Sequence, residues 1–221
     1  MSGAPSDGAP RASAVALIGF MGAGKSAVGR LVAKRLKVPF IDTDALIEER
    51  EGPIAEIFAV RGEQVFRGIE RDVVVAVLEA ALREPCVVAL GGGAVLSGDV
   101  REALERLPDV AWLAAPAEVL WARAAARGGR PLARDEQAFR RLLDERNDLY
   151  RRVASAEVLN DGSRPLAAVA AEVAALAAPG ARRPARAAVA REVAALAADG
   201  GADGAVDGES HRAPGPGEDR G

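Results

Sequence analysis

Gly19-Phe20-Met21-Gly22-Ala23-Gly24-Lys25-Ser26 carries the spacing G-x-x-x-x-G-K-[ST]. Each residue type in that spacing has a chemical use. A phosphate chain is held by backbone N–H groups converging from a tight loop, and glycines permit that backbone. Lys25 then reaches the outer phosphates, and the Ser26 hydroxyl is a ligand for the accompanying Mg²⁺. A helix opening at this point adds its positive end. Asp42-Thr43-Asp44 follows, with two carboxylates closing a short apolar run. One can hold the metal ion through water while the other accepts the proton of a hydroxyl. The alternative is a helix N-cap followed by a first-turn acid. The only histidine, His211, lies in a tail of glycine, proline and charge. A general base in the apolar part of the chain is therefore expected to be a carboxylate.

Further along, Phe66-Arg67-Gly68-Ile69-Glu70 spaces an arginine and a glutamate at i, i+3. Such a pair is a surface ion pair, or an arginine held by Glu70 to grip a carboxylate with both arms of its fork. Gly91-Gly92-Gly93 exceeds what a simple turn needs. It suggests close approach of a ligand to the backbone, or else a flexible loop. Arg123, Arg127, Arg130 and Arg134 surround Gly128-Gly129 and Pro131. A mobile loop carrying Arg130 could bring positive charge over a moving phosphate and exclude water; a solvated basic loop has the same composition. Arg146 sits in a polar helical stretch, where an exposed position is the simplest expectation.

These residues need elements to hold them. Apolar runs at 13–19, 38–42, 86–90, 110–113 and 157–159 read as short strands. Helical patterns lie between them, at 25–37, in pieces over 45–83 broken by Gly52-Pro53 and Gly62, and at 99–107, 117–127, 136–153 and 165–178. Strands that are apolar throughout and alternate with helices imply a parallel sheet covered on both faces. Residues 1–13 read as a disordered leader ahead of a domain at 14–178. The remainder, 179–221, is an Ala/Gly/Pro-rich tail. Within it the run from Val169 to Gly180 returns from Val189 to Gly200, altered only where Ala171 becomes Arg191 and Pro179 becomes Asp199. This reads as a duplicated last helix at 185–198.

A net charge of −3 argues against a general nucleic-acid or membrane-surface binder. No apolar run approaches the ~20 residues of a membrane span, and no signal-peptide core opens the chain. One cysteine, Cys86, cannot pair internally and fits a reducing, cytoplasmic compartment.

Taken in order, these segments resemble the shikimate kinases, within the nucleoside-monophosphate-kinase-like P-loop fold. The resemblance rests on Gly19–Ser26, Asp42/Asp44, Phe66/Arg67/Glu70, Gly91–Gly93, Arg130-Pro131-Leu132 and Arg146 before Leu149-Tyr150, and covers about 13–178. Asp44 followed by Arg67, the triple glycine and Arg146 separates the pattern from gluconate and adenylate kinases. The resemblance implies a three-layer α/β/α fold with a five-stranded parallel sheet, a substrate-binding helical insert at 43–72 and a lid at 123–135. It implies a monomeric enzyme that uses ATP and Mg²⁺ on the 3-hydroxyl of shikimate, in chorismate biosynthesis, with no nucleic acid or membrane partner. Lys25, Asp44 and Arg130 are then catalytic, with Asp44 as base. Gly22, Ala23, Gly24, Lys25, Ser26, Ala27, Arg123, Arg130 and Pro165 bind ATP. Asp44, Arg67, Gly91, Gly92, Gly93 and Arg146 bind shikimate, the two arginines on its carboxylate. Ser26 and, through water, Asp42 hold the metal. Asp148 stands where many relatives have proline, placing an acid two residues from Arg146, and the lid reads Pro131-Leu132-Ala133 where Pro-Leu-Leu is usual.

Overall fold

The computed structural model describes residues 13–127 and 135–177. Residues 1–12 of the expected leader, 128–134 of the expected lid at 123–135 with Arg130, and the tail with its duplicated helix lie outside the described residues. Five parallel strands form one sheet in the order β2-β3-β1-β4-β5: β1 (Val15–Ile18), β2 (Phe40–Asp42), β3 (Val87–Ala89), β4 (Asp109–Ala114) and β5 (Ala156–Leu159). Val15 stands level with Val87 on one side and Asp109 on the other. The three central strands are almost wholly buried, as their apolar sequence requires once past Asp109 at the start of β4. The edge strands differ: β2 is half-buried, and β5 buries only Val158.

From β1 the chain passes outward through α1 (Lys25–Leu36) to β2, returns to β3, and crosses back through α4 (Gly98–Arg106) to β4. Right-handed crossovers in opposite directions place α1 and α4 on opposite faces of the sheet. Accordingly α1 packs on α7 (Leu166–Leu176), and α4 packs on α3 (Ile54–Ala81). The direction of winding reverses at β1 and β3. Their carboxyl ends therefore open the crevice in which ligands of such sheets sit. The glycine loop after β1 and the triple glycine after β3 both end there.

Asp42 caps α2 (Thr43–Glu51), Gly52 closes it at φ 87°, and Pro53 starts α3. Inside α3, Gly62 leaves helical geometry at φ 82°, ψ 165°. The helix runs on past 72, as the helical pattern over 45–83 predicts. It continues to Ala81, burying Val73, Val74, Val77 and Leu78 in the core. The helical patterns at 117–127 and 136–153 are α5 (Ala117–Arg127) and α6 (Glu136–Val153), the latter capped by Asp135. Asp148 leaves α6 unbroken, and its carboxylate pairs with Arg151 at 3.0 Å on the exposed side. Cys86 is buried. Among the described residues no helix is long and apolar enough to cross a membrane.

A Cβ at Gly62 would meet nothing within 4 Å, so its replacement tests backbone strain alone. Gly62→Ala is expected to cost about 1–3 kcal/mol, because this region of φ/ψ is accessible almost only to glycine. Calorimetry should show a lowered Tm; an unchanged Tm would mean that the kink relaxes into helix at no cost.

Candidate active site

The glycine loop bends through positive φ at Gly19 (141°), Gly22 (81°) and Gly24 (90°). Side chains are excluded there by their neighbours as well as by the backbone. A Cβ at Gly22 would lie 2.8 Å from the Leu120 carbonyl, and one at Gly24 2.6 Å from the Asn160 amide. Lys25 opens α1, and its Nζ donates to Gly19 O at 2.8 Å and Phe20 O at 3.2 Å, so the ammonium lies over the loop. Ser26 Oγ donates to Asp42 Oδ2 at 2.6 Å. The other oxygen of Asp42 accepts from the N–H groups of Asp44 (3.2 Å) and Ala45 (3.5 Å). The N-cap reading of Asp42 therefore holds, and its second carboxylate oxygen is taken by the Ser26 hydroxyl. A hydroxyl backed by one carboxylate suits Mg²⁺, which keeps several waters and takes phosphate oxygens rather than an all-protein cage. No group of three His, Cys, Asp or Glu that could hold a metal occurs among the described residues.

Across the crevice stands a second cluster. Asp44 lies in the first turn of α2. Arg67 donates through Nη1 to Glu70 Oε2 at 2.7 Å and through Nη2 to Glu63 Oε1 at 3.1 Å, and its guanidinium sits by the Phe58 and Phe66 rings. This is the expected i, i+3 ion pair, but it is no surface pair: Glu70 is 3% exposed. Burial pushes the Glu70 carboxyl above the usual range; the hydrogen bond from Arg67 opposes the shift, and the charge of Asp44 adds to it. Arg146 is not an exposed helix residue either. At 7% exposure it reaches from α6 to donate Nη1 to Gly92 O at 2.9 Å, over the Phe20 ring. Its buried Nε has no hydrogen-bond partner. Tyr150, fully buried, donates to the same carbonyl at 2.6 Å, and burial raises its hydroxyl far above the usual titration range.

The triple glycine has a reason that the sequence alone did not supply. The groups that crowd its backbone are the site's own side chains. A Cβ at Gly91 would lie 2.5 Å from Asp44 Oδ1 and 2.6 Å from Glu70 Oε1. One at Gly93 would collide with the Arg67 guanidinium, and Gly92 passes close to the glycine loop at Gly19 O and Met21 N. The N–H of Gly91 donates to the buried Thr43 hydroxyl at 3.1 Å. What Gly91 gives the site is therefore room, not a donor.

Asp42, Asp44, Arg67, Gly91–Gly93 and Arg146 thus meet beside Gly22–Ala27. Arg123 stands at the far side of the loop, donating Nη1 to Asn160 O at 2.7 Å. Pro165 is exposed at the start of α7. Sequence reasoning missed Thr43, Tyr150 and Asn160. Tyr150 follows Arg146 by one helical turn, a spacing that could have revealed it. Asn160 lies 137 residues from the backbone it holds and gave no local signal.

The family model described as shikimate kinase matches residues 21–177. A shikimate kinase of Mycobacterium avium is 48% identical over 174 residues, covering 76% of this chain and 96% of that protein. One from Symbiobacterium thermophilum is 43% identical over 165 residues, covering 72% and 92%. Among solved structures, the shikimate kinase of Acinetobacter baumannii in complex with shikimate superposes with a TM-score of 0.65 at 30% identity, covering 88% of this chain and 98% of that one.

Tyr150→Phe removes one of the two donors on Gly92 O without changing shape. Arg146 still satisfies that oxygen, so the expected loss is about 1 kcal/mol of stability. Denaturant unfolding checks it: a midpoint equal to the parent's would show that the hydroxyl contributes nothing net.

Proposed function

The chain belongs to the shikimate kinase family, and from that membership we propose that it transfers the γ-phosphoryl group of ATP to the 3-hydroxyl of shikimate. The product is shikimate 3-phosphate, on the route to chorismate and the aromatic amino acids. The observation that carries the reading is Arg146. A buried guanidinium with an unpartnered Nε is costly. It lies in the same cluster as Glu70 and the Arg67 paired with it, and both arginines border Gly91–Gly93. An anionic planar group such as the carboxylate of shikimate would satisfy both arginines.

Each residue then has a task. Arg67, steadied by Glu70 and Glu63, and Arg146, steadied by Gly92 O, hold the carboxylate and so fix the ring. Asp44, across from them, faces the ring hydroxyls. As the hydroxyl oxygen forms its bond to the γ-phosphorus, Asp44 takes the proton, and the bond to ADP breaks in line. Lys25 leaves the loop carbonyls for the phosphate oxygens, and Arg130 of the lid covers them. The Ser26 hydroxyl and, through water, Asp42 would hold Mg²⁺, which supplies positive charge between the phosphates. Little covalent work remains for the protein in such a transfer; positioning and electrostatics dominate. Gly22–Ala27 hold the phosphates, and Arg123 and Pro165 flank the adenine. The reading includes a cytoplasmic monomer, to which the single buried thiol of Cys86 is suited.

A coupled assay of ADP release tests the assignment, with shikimate, gluconate and nucleoside monophosphates offered in parallel. Turnover should appear with shikimate; preference for either other acceptor would overturn the substrate. Asp44→Asn should leave ATP binding intact and lower kcat on the order of 10²–10⁴-fold. Near-normal turnover would remove Asp44 from the mechanism. Arg67→Lys keeps the charge and loses the planar fork. Its KM for shikimate should rise far more than its KM for ATP, and equal effects on the two would make Arg67 structural.

A further inference from the structure

Asn160 takes no part in the mechanism above, yet it is only 4% exposed, and its polar groups bind three separate segments. Its main-chain N–H donates to Ala114 O at 2.8 Å, carrying the β4–β5 pairing one residue past the strand. Its main-chain carbonyl accepts from Arg123 Nη1 at 2.7 Å. Its side-chain Nδ2 donates to Ala23 O at 2.8 Å, inside the glycine loop. The fit is close: a Cβ at Gly24 would lie 2.6 Å from that same Nδ2, and one at Gly162 3.3 Å from Arg123 Nη2.

The bond to Ala23 O fixes more than a carbonyl. A peptide group is planar and trans, so its C=O and the following N–H point to opposite sides. With Ala23 O turned to Asn160, the N–H of Gly24 faces the other way. A glycine at φ 90° gives little resistance to a flip of this peptide, since glycine populates both signs of φ. A flip would replace a donor with a carbonyl oxygen in a cradle whose task is to meet negative charge.

We propose that Asn160 is a positioning residue for the nucleotide: its amide locks the Ala23–Gly24 peptide in the orientation that presents the Gly24 N–H to the phosphates. Through Arg123, which also approaches Gly22 O at 3.5 Å, the lock joins the phosphate loop to the loop after β5. The inference rests on the ATP-binding reading and goes beyond it by assigning a residue outside the motif to the state of the motif.

The test uses the full chain with Asn160→Leu, which keeps the size and loses the donor, and Asn160→Ala, in case leucine is not accommodated. ADP binding is measured by calorimetry without shikimate, alongside the KM for each substrate and the Tm. The expected result is ADP affinity lowered about tenfold or more, about the worth of one lost hydrogen bond to a well-placed group. The KM for ATP should rise in step while that for shikimate stays within about twofold. ADP affinity equal to the parent's in a folded variant would overturn the proposal, whatever the Tm. So would equal rises in both KM values, which mark a general loss of structure. Because ADP binding by the parent needs no acceptor, a wrong assignment of shikimate would show separately, in the turnover assay.

Discussion

Four charged groups, two of them buried and two half-buried, meet in one corner, and much of the site follows from keeping them there. Glu70, almost fully buried, is bonded to Arg67 and feels the charges of Asp44 and Arg146. Burying charge is costly unless each group is paired and hydrogen-bonded. Two carboxylates against two guanidinium groups come close to balance. The remaining demand is geometric, since the side chains must approach one another within van der Waals limits. Gly91 and Gly93 meet it by having no Cβ where Asp44, Glu70 and Arg67 converge. The backbone between them is fixed by Arg146 and Tyr150 acting on Gly92 O, and by Thr43 acting on the Gly91 N–H. The corner to which the substrate reading assigns the carboxylate is thus also a structural joint between α2, α3, α6 and the end of β3.

The phosphate side is built on a different economy, in which few side chains serve several roles. Asp42 caps α2 with one oxygen and meets Ser26 with the other, so the start of α2 and the Ser26 hydroxyl are set by one carboxylate. Asn160 ties the glycine loop to the loop after β5, and Arg123 ties both to α5. The glycine loop is therefore hydrogen-bonded to elements on either side of it. The backbone joins the two sides as well: Gly92 passes close to Gly19 and Met21, which brings the Arg67–Glu70 cluster up to the glycine loop.

The sequence by itself determined the sheet, the order of its helices and the residues bearing charge at its rim. Apolar runs bounded by glycine or acid marked β1, β3 and β4, because a strand covered on both faces has no polar position to break the run. The glycine loop, Asp42, Asp44 and Arg67 were legible because each motif is local and its chemistry lies within a few consecutive residues. Tertiary structure decided the rest. Arg146 and Glu70 looked like surface residues, since a helical pattern shows which positions share a face but not what covers that face. The triple glycine suggested a ligand, and the structure adds that Gly91 and Gly93 also leave room for side chains of α2 and α3. Asn160 was silent because it acts on backbone 137 residues away. Contacts of that range leave no period or spacing in the chain; they exist only once the crossovers have brought the carboxyl ends of the strands together.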